Sequence, residues 1–162
     1  MTLYIDRSSI ISPLADIEDS VRGSKISIGK RTQIDAFVKI KPAGGIGDVV
    51  IGNDCFINSG TVIYSGNGVH LGSGVLVAAN CTFASTNHEF SDRAQRILDQ
   101  GFAPSRGGIV VEDDVWIGSN CVILDGSIIR SGTIIGAQSL VSGELESFSV
   151  YSGIPARRIR SR

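Results

Sequence analysis

Aromatic side chains are scarce in this chain. One tryptophan, three tyrosines and six phenylalanines occur in 162 residues. That disfavours a core built around large rings and leaves the branched aliphatics to fill it. Neither sign of charge dominates, since 15 Lys and Arg oppose 16 Asp and Glu for a net charge of −1. Nothing in that balance calls for nucleic acid or an anionic membrane as partner. No apolar run reaches transmembrane length, and Met1-Thr2-Leu3-Tyr4-Ile5-Asp6 lacks a signal-peptide pattern. A soluble, cytoplasmic protein with no integral membrane segment is expected. Cysteine is limited to Cys55, Cys81 and Cys121, an odd set without Cys-x-x-Cys spacing.

What is abundant is glycine, with 20 residues, and branched aliphatics in a fixed rhythm. Val111, Ile117, Ile123, Ile129, Ile135 and Val141 recur every six positions. Four residues after each comes a small residue (Val115, Cys121, Ser127, Thr133, Ser139), with Leu145 the large exception. Neither a 3.6-residue helix nor a period-two strand sustains a period of six. It is the period of a parallel β-helix, in which three six-residue sides make one triangular coil. The register extends upstream through Ile28, Ile34 and Ile40, through Ile51, Ile57 and Ile63, and through Leu71, Val77 and Phe83. Ile11 and Ile17 form a weaker first turn. The three cysteines fall in the small-residue slot, where a free thiol serves as a small buried hydrophobe. Gly29, Gly52, Gly72, Gly118 and Gly136 each follow a repeat aliphatic. They are expected to supply corner conformations that other residues reach only with strain.

Three segments break the register. Residues 41–50 are a Pro/Gly-rich excursion, and Val69 to Leu71 is a two-residue slip that places His70 at a corner. Residues 84–108 form the long break, with charged side chains, Pro104 and Gly107-Gly108. Long loops in compact folds are mostly functional or disordered. The ladder resumes cleanly afterwards, so a purposeful excursion within one domain spanning 1–162 is expected, closed by a C-terminal extension over 147–162.

The hexads, Asn87-His88-Glu89-Phe90 in the loop, Val115-Trp116-Ile117-Gly118 and Gly153-Ile154-Pro155-Ala156-Arg157 together resemble the hexapeptide-repeat acyltransferases. Among these the bacterial sugar O-acetyltransferases of polysaccharide synthesis and the maltose and galactoside acetyltransferases are most similar in look. The resemblance implies an all-β, left-handed parallel β-helix. It also implies a homotrimer with active sites between subunits and acetyl-CoA as co-substrate. The same coil occurs in zinc-dependent γ-class carbonic anhydrases, whose metal needs three histidines. This chain has two, and no metal is expected.

Acetyl transfer from a thioester to a hydroxyl needs a base at the acceptor oxygen, and imidazole titrates in the right range. His88 matches the place of the family's catalytic histidine. Glu89 would orient the ring, as the third member of a triad does, or is a solvated loop charge. Asn87 would contact the acceptor or shape the turn. Asn58 and Tyr64 lie on coils that could face the acceptor. The family places the tryptophan of this motif, Trp116, beside the acyl-CoA groove. It places corner backbone groups at Ser119 and Ala137 along the pantetheine arm, where a donor facing the thioester oxygen would stabilise developing charge. It also places Arg157 and Arg160 at the CoA phosphates, where guanidinium binds bidentately. Arg93, Arg96 and Arg106, with Asp92 and Asp99, decorate the loop and could close over the acceptor or meet the next subunit.

The expected function is acetyl-CoA-dependent O-acetyl transfer to a sugar or glycan hydroxyl in a ternary complex. N-acetylation of an amino sugar is the nearest alternative, although such enzymes often carry an extra N-terminal domain. A non-catalytic trimeric scaffold or binding module is the other. Calorimetric titration with CoA separates the scaffold from both enzymes.

Overall fold

A computed structural model describes residues 2–162. Three sheets run the length of the molecule, and successive coils pair in parallel along each of them. The first sheet takes Leu3–Ile5, Ile26–Ile28, Val49–Ile51, Val69–Leu71, Ile109–Val111, Ser127–Ile129 and Glu144–Leu145. The second takes Ile10–Ile11, Gln33–Ile34, Phe56–Ile57, Leu76–Val77, Trp116–Ile117, Ile134–Ile135 and Ser149–Gly153, then Ala156–Ser161. The third takes Asp16–Ile17, Lys39–Lys41, Val62–Tyr64, Thr82–Ala84, Val122–Leu124 and Leu140–Val141. One turn of helix, Ile97–Gln100, lies in the long loop. The predicted triangular coil is therefore present.

The ladder residues stack inward as the period requires. Ile34, Ile57, Val77, Ile117 and Ile135 line the second sheet, and Ile40, Ile63, Phe83, Ile123 and Val141 the third; all are buried. Ile11 and Ile17 do complete a first coil, but they are only half-buried because just one coil covers them. Cys55, Cys81 and Cys121 are buried and free. Each thiol donates to a carbonyl of the next coil (Gly72 at 3.1 Å, Gly118 at 3.2 Å, Gly136 at 3.2 Å). The Thr32 hydroxyl does the same in its slot, to Gly52 at 2.8 Å. Burial pushes the Cys55 thiol up, away from nucleophilic character.

Three details of the register differ from the expectation. Leu145 pairs with Ile129, so it belongs to the aliphatic ladder and is no exception in a small slot. His70 stands mid-strand between Val50 and Val110 on the outward face of the first sheet. It is not a corner residue, because strands of that sheet turn both end residues inward, as Val69 and Leu71 show. The third correction concerns the repeat glycines. The left-handed conformations fall two residues later, on Arg31, Asp54, Gly74, Asn120 and Gln138. The glycines are needed for close approach. A Cβ at Gly118 would lie 2.6 Å from the Ala137 amide nitrogen of the next coil. Gly118→Ala is expected to cost about 1–3 kcal/mol through this overpacking, read as a lower denaturation midpoint at unchanged m-value.

All four excursions leave from one corner, between the third sheet and the first. They cover 18–25, 42–48, 65–68 and 85–108. Extra residues there extend outward without breaking any ladder.

Candidate functional site

The long loop is pinned at both ends. At its start the buried Ser85 hydroxyl donates to the carbonyls of Tyr64 and Ser65, at 2.8 and 2.9 Å. At its end Asp125, 3% exposed, accepts from the Arg106 and Gly108 amides, each at 2.9 Å, and from the Asn67 side chain at 3.0 Å. Asp125 escaped the sequence reading because a carboxylate in a corner resembles any other corner Asp. Between the anchors the loop folds on itself. Arg96 pairs with Asp99 at 2.7 Å, and Asp92 takes the Gln95 side chain at 2.8 Å.

His88 and Phe102 face each other across an antiparallel bridge. The Glu89 amide donates to Gly101 at 3.0 Å and the Ala103 amide to Asn87 at 2.8 Å. This bridge aims the imidazole. His88 Nδ1 lies 3.2 Å from the Gly101 carbonyl, and the ring packs on Phe102 at a centroid distance of 4.9 Å. A carbonyl only accepts, so neutral His88 carries its proton on Nδ1 and keeps a lone pair on Nε2. The orienting group is thus a backbone carbonyl and not Glu89. The Glu89 carboxylate accepts instead from the Phe90 and Ser91 amides, at 2.8 and 2.9 Å. The Ser91 amide first, with its hydroxyl and the Phe90 amide, holds that carboxyl below the usual range. Glu89 shapes the turn.

His88 separates two grooves. One, of about 240 Å³, is lined by Ala43, Gly44, Tyr64, Thr86 and Phe102. The other, of about 410 Å³, is lined by Asn87, Phe90, Ala103, Pro104, Arg106 and Leu124. Tyr64 and Asn87 therefore join His88, as expected. The Pro/Gly-rich excursion supplies one wall through Ala43 and Gly44, a role its composition alone does not announce.

Asn58 is not part of this cluster. Its side-chain nitrogen donates to the Val77 carbonyl at 2.8 Å, at the corner between the second and third sheets. Ser119 and Ala137 occupy that same corner on later coils. Their amides donate to no group among the described residues. Trp116 stands outward on the second sheet between Leu76 and Ile134, 51% exposed. It lines a groove of about 180 Å³ with Gly74, Asp114 and Arg162. Arg157 and Arg160 lie on the return strand that pairs antiparallel with Ser149–Gly153. Each guanidinium bonds only its own strand's carbonyls, of Ala156 and Ser161 respectively. Arg158 and Arg162 are committed elsewhere, to Glu146 at 3.2 Å and Asp114 at 2.7 Å.

The two halves of the predicted site do not meet in one chain. The second sheet is the side of the triangle opposite the corner from which the His88 loop departs. Among the described residues no three His, Cys, Asp or Glu side chains gather as metal ligands would, and no helix is long and apolar enough to cross a membrane.

Residues 108–143 match the model of the bacterial transferase hexapeptide (six repeats). The chain belongs to the hexapeptide-repeat transferases. Its coil is accordingly a left-handed β-helix. This hexapeptide-repeat transferase is 34% identical over 75% of its length to a chloramphenicol acetyltransferase of Agrobacterium fabrum, covering 55% of that protein. It is 31% identical over 70% of its length to the galactoside O-acetyltransferase of Escherichia coli, covering 54%. The chain thus spans about half the length of these curated relatives. A mutant of AntD, an N-acyltransferase from Bacillus cereus solved with dTDP-4-amino-4,6-dideoxyglucose and coenzyme A, superposes with a TM-score of 0.82 at 26% identity. The match covers 98% of this chain and 83% of that one.

Proposed function

We propose that this hexapeptide-repeat transferase moves an acetyl group from acetyl-CoA to a hydroxyl of a sugar or polysaccharide precursor, in the cytoplasm. The observation that carries the reading is the His88 lone pair on Nε2, held between two grooves by the Gly101 carbonyl. His88 takes the proton of the acceptor hydroxyl as its oxygen bonds to the thioester carbon. As the carbon–sulfur bond breaks, His88 returns that proton to the departing thiolate. Tyr64 and Asn87 position the acceptor. The three thiols are buried in the coil and donate to carbonyls of the next one, so this route uses no cysteine nucleophile.

The donor surface lies on the other side of the coil. The free amides of Ser119 and Ala137, one coil apart, suit the amide-bearing arm of CoA. Trp116 offers an apolar wall, and Arg157 and Arg160, free of carboxylates, suit its phosphates. A second copy must bring this surface to His88, so we propose a homotrimer whose three sites are each shared between neighbours. Co-expression tests this. His88→Ala subunits mixed with Arg157→Glu/Arg160→Glu subunits should regain roughly a quarter of wild-type activity, since that fraction of shared sites is intact under random assembly. A monomer by light scattering, or mixtures no more active than either parent, would sink the shared site.

One observation favours N-acetyl transfer to an amino sugar as a second reading: the likeness to AntD extends over 98% of this chain. His88 would then take a proton from the attacking amine. Matched hydroxyl and amino sugars, assayed by thiol release from acetyl-CoA, separate the two.

A further inference from the structure

Arg106 is the one charged side chain that lines either groove at His88. Its guanidinium makes no ion pair or hydrogen bond among the described residues, and unlike the other unpaired arginines it stands in a groove at His88. It is also set on a rigid base. The Arg106 amide is bound by the buried Asp125 carboxylate at 2.9 Å. That carboxylate also ties down Gly108 and Asn67. A cation fixed in a groove beside a base, with no anion of its own, is built to receive one.

The anion cannot be a CoA phosphate. The phosphates are separated from the thioester by the whole extended pantetheine arm. When the thioester carbon is at His88, they lie far beyond a groove that His88 itself lines. Of the two substrates, only the acceptor can place a charge there.

We infer that the acceptor is anionic, carrying a phosphate or carboxylate within about one sugar ring of the atom acylated, and that Arg106 recognises it. This rests on the acetyl-transfer reading above and narrows it. Sugar phosphates, nucleoside-diphosphate sugars and uronates are admitted, whereas neutral glycosides and uncharged antibiotics are disfavoured.

The test compares wild type with Arg106→Gln and Arg106→Lys. Glucose 1-phosphate, UDP-glucose, glucuronate and methyl glucoside serve as probes, each with an amino-sugar counterpart, followed by thiol release from acetyl-CoA. Expected is transfer to a charged probe. Arg106→Gln then raises that probe's KM about tenfold or more, Arg106→Lys recovers part of the loss, and the KM for acetyl-CoA stays within about twofold. A preference for phosphate over glucuronate, or the reverse, identifies the anion. A neutral best acceptor, or an Arg106→Gln effect confined to acetyl-CoA, overturns the inference. If no probe releases thiol, the transfer reading fails for these sugars. The anion site is then judged by calorimetry with glucose 1-phosphate and glucuronate. Binding of either by wild type that is weakened by Arg106→Gln upholds it, and no binding, or equal binding by both proteins, refutes it.

Discussion

Replacing His88 with alanine is expected to lower transfer by roughly a hundred- to ten-thousandfold, the usual contribution of a positioned general base. CoA affinity and thermal midpoint should barely move. The ring is exposed, its side chain makes one hydrogen bond, and Phe102 is its one aromatic neighbour. Surface changes of this kind stay within about 0.5 kcal/mol. Steady-state thiol release, calorimetry with CoA and a melting curve check the three parts. Turnover near the wild-type rate would remove His88 from the mechanism. Glu89→Gln gives the companion result. Because the imidazole is oriented by the Gly101 carbonyl, this change should cost far less than loss of His88.

Asp125→Ala should be the most damaging single change outside the aliphatic ladder. It strips the acceptor from two backbone amides and one side-chain amide at a site that is 3% exposed. Hydrogen bonds to a charged group contribute about 1.5–3 kcal/mol each, and buried donors left without an acceptor add their own penalty. A loss of about 3 kcal/mol in denaturant unfolding is expected. Transfer should fall as well, since the exit of the His88 loop is no longer held. Proteolysis within 91–106 should accelerate while the coil itself resists cleavage. An Asp125→Ala protein with wild-type stability and an equally resistant loop would show that other contacts hold the loop. Asp125→Asn keeps an acceptor oxygen and should lie between the two.

These two residues mark what can be read from one dimension. His88 was visible because it interrupts a strict period and precedes Trp116-Ile117-Gly118. Asp125 was not, because its partners are distant in sequence: Asn67 lies on an earlier coil and Arg106 at the end of a long loop. In the sequence Arg106 is one of several loop charges that could close over the acceptor or meet the next subunit. Its meaning required knowing which other arginines already had partners.

The sequence by itself determined the coil. A period of six suits a triangular parallel coil of either hand, and burying Ile, Val and the small slot residues stabilises it turn by turn, so the ladder, the buried cysteines and the place of the long excursion were all legible. The tertiary structure decided three further points. It moved the strained backbone from the glycines to the residue two later, because closeness between coils, not curvature, is what excludes a Cβ there. It gave the orientation of His88 to a main-chain carbonyl, which no side-chain pattern encodes. And it set His88 and Trp116 on opposite sides of the triangle. Chain order fixes which corner carries an insertion, but only the closed coil shows which sheet lies across from it.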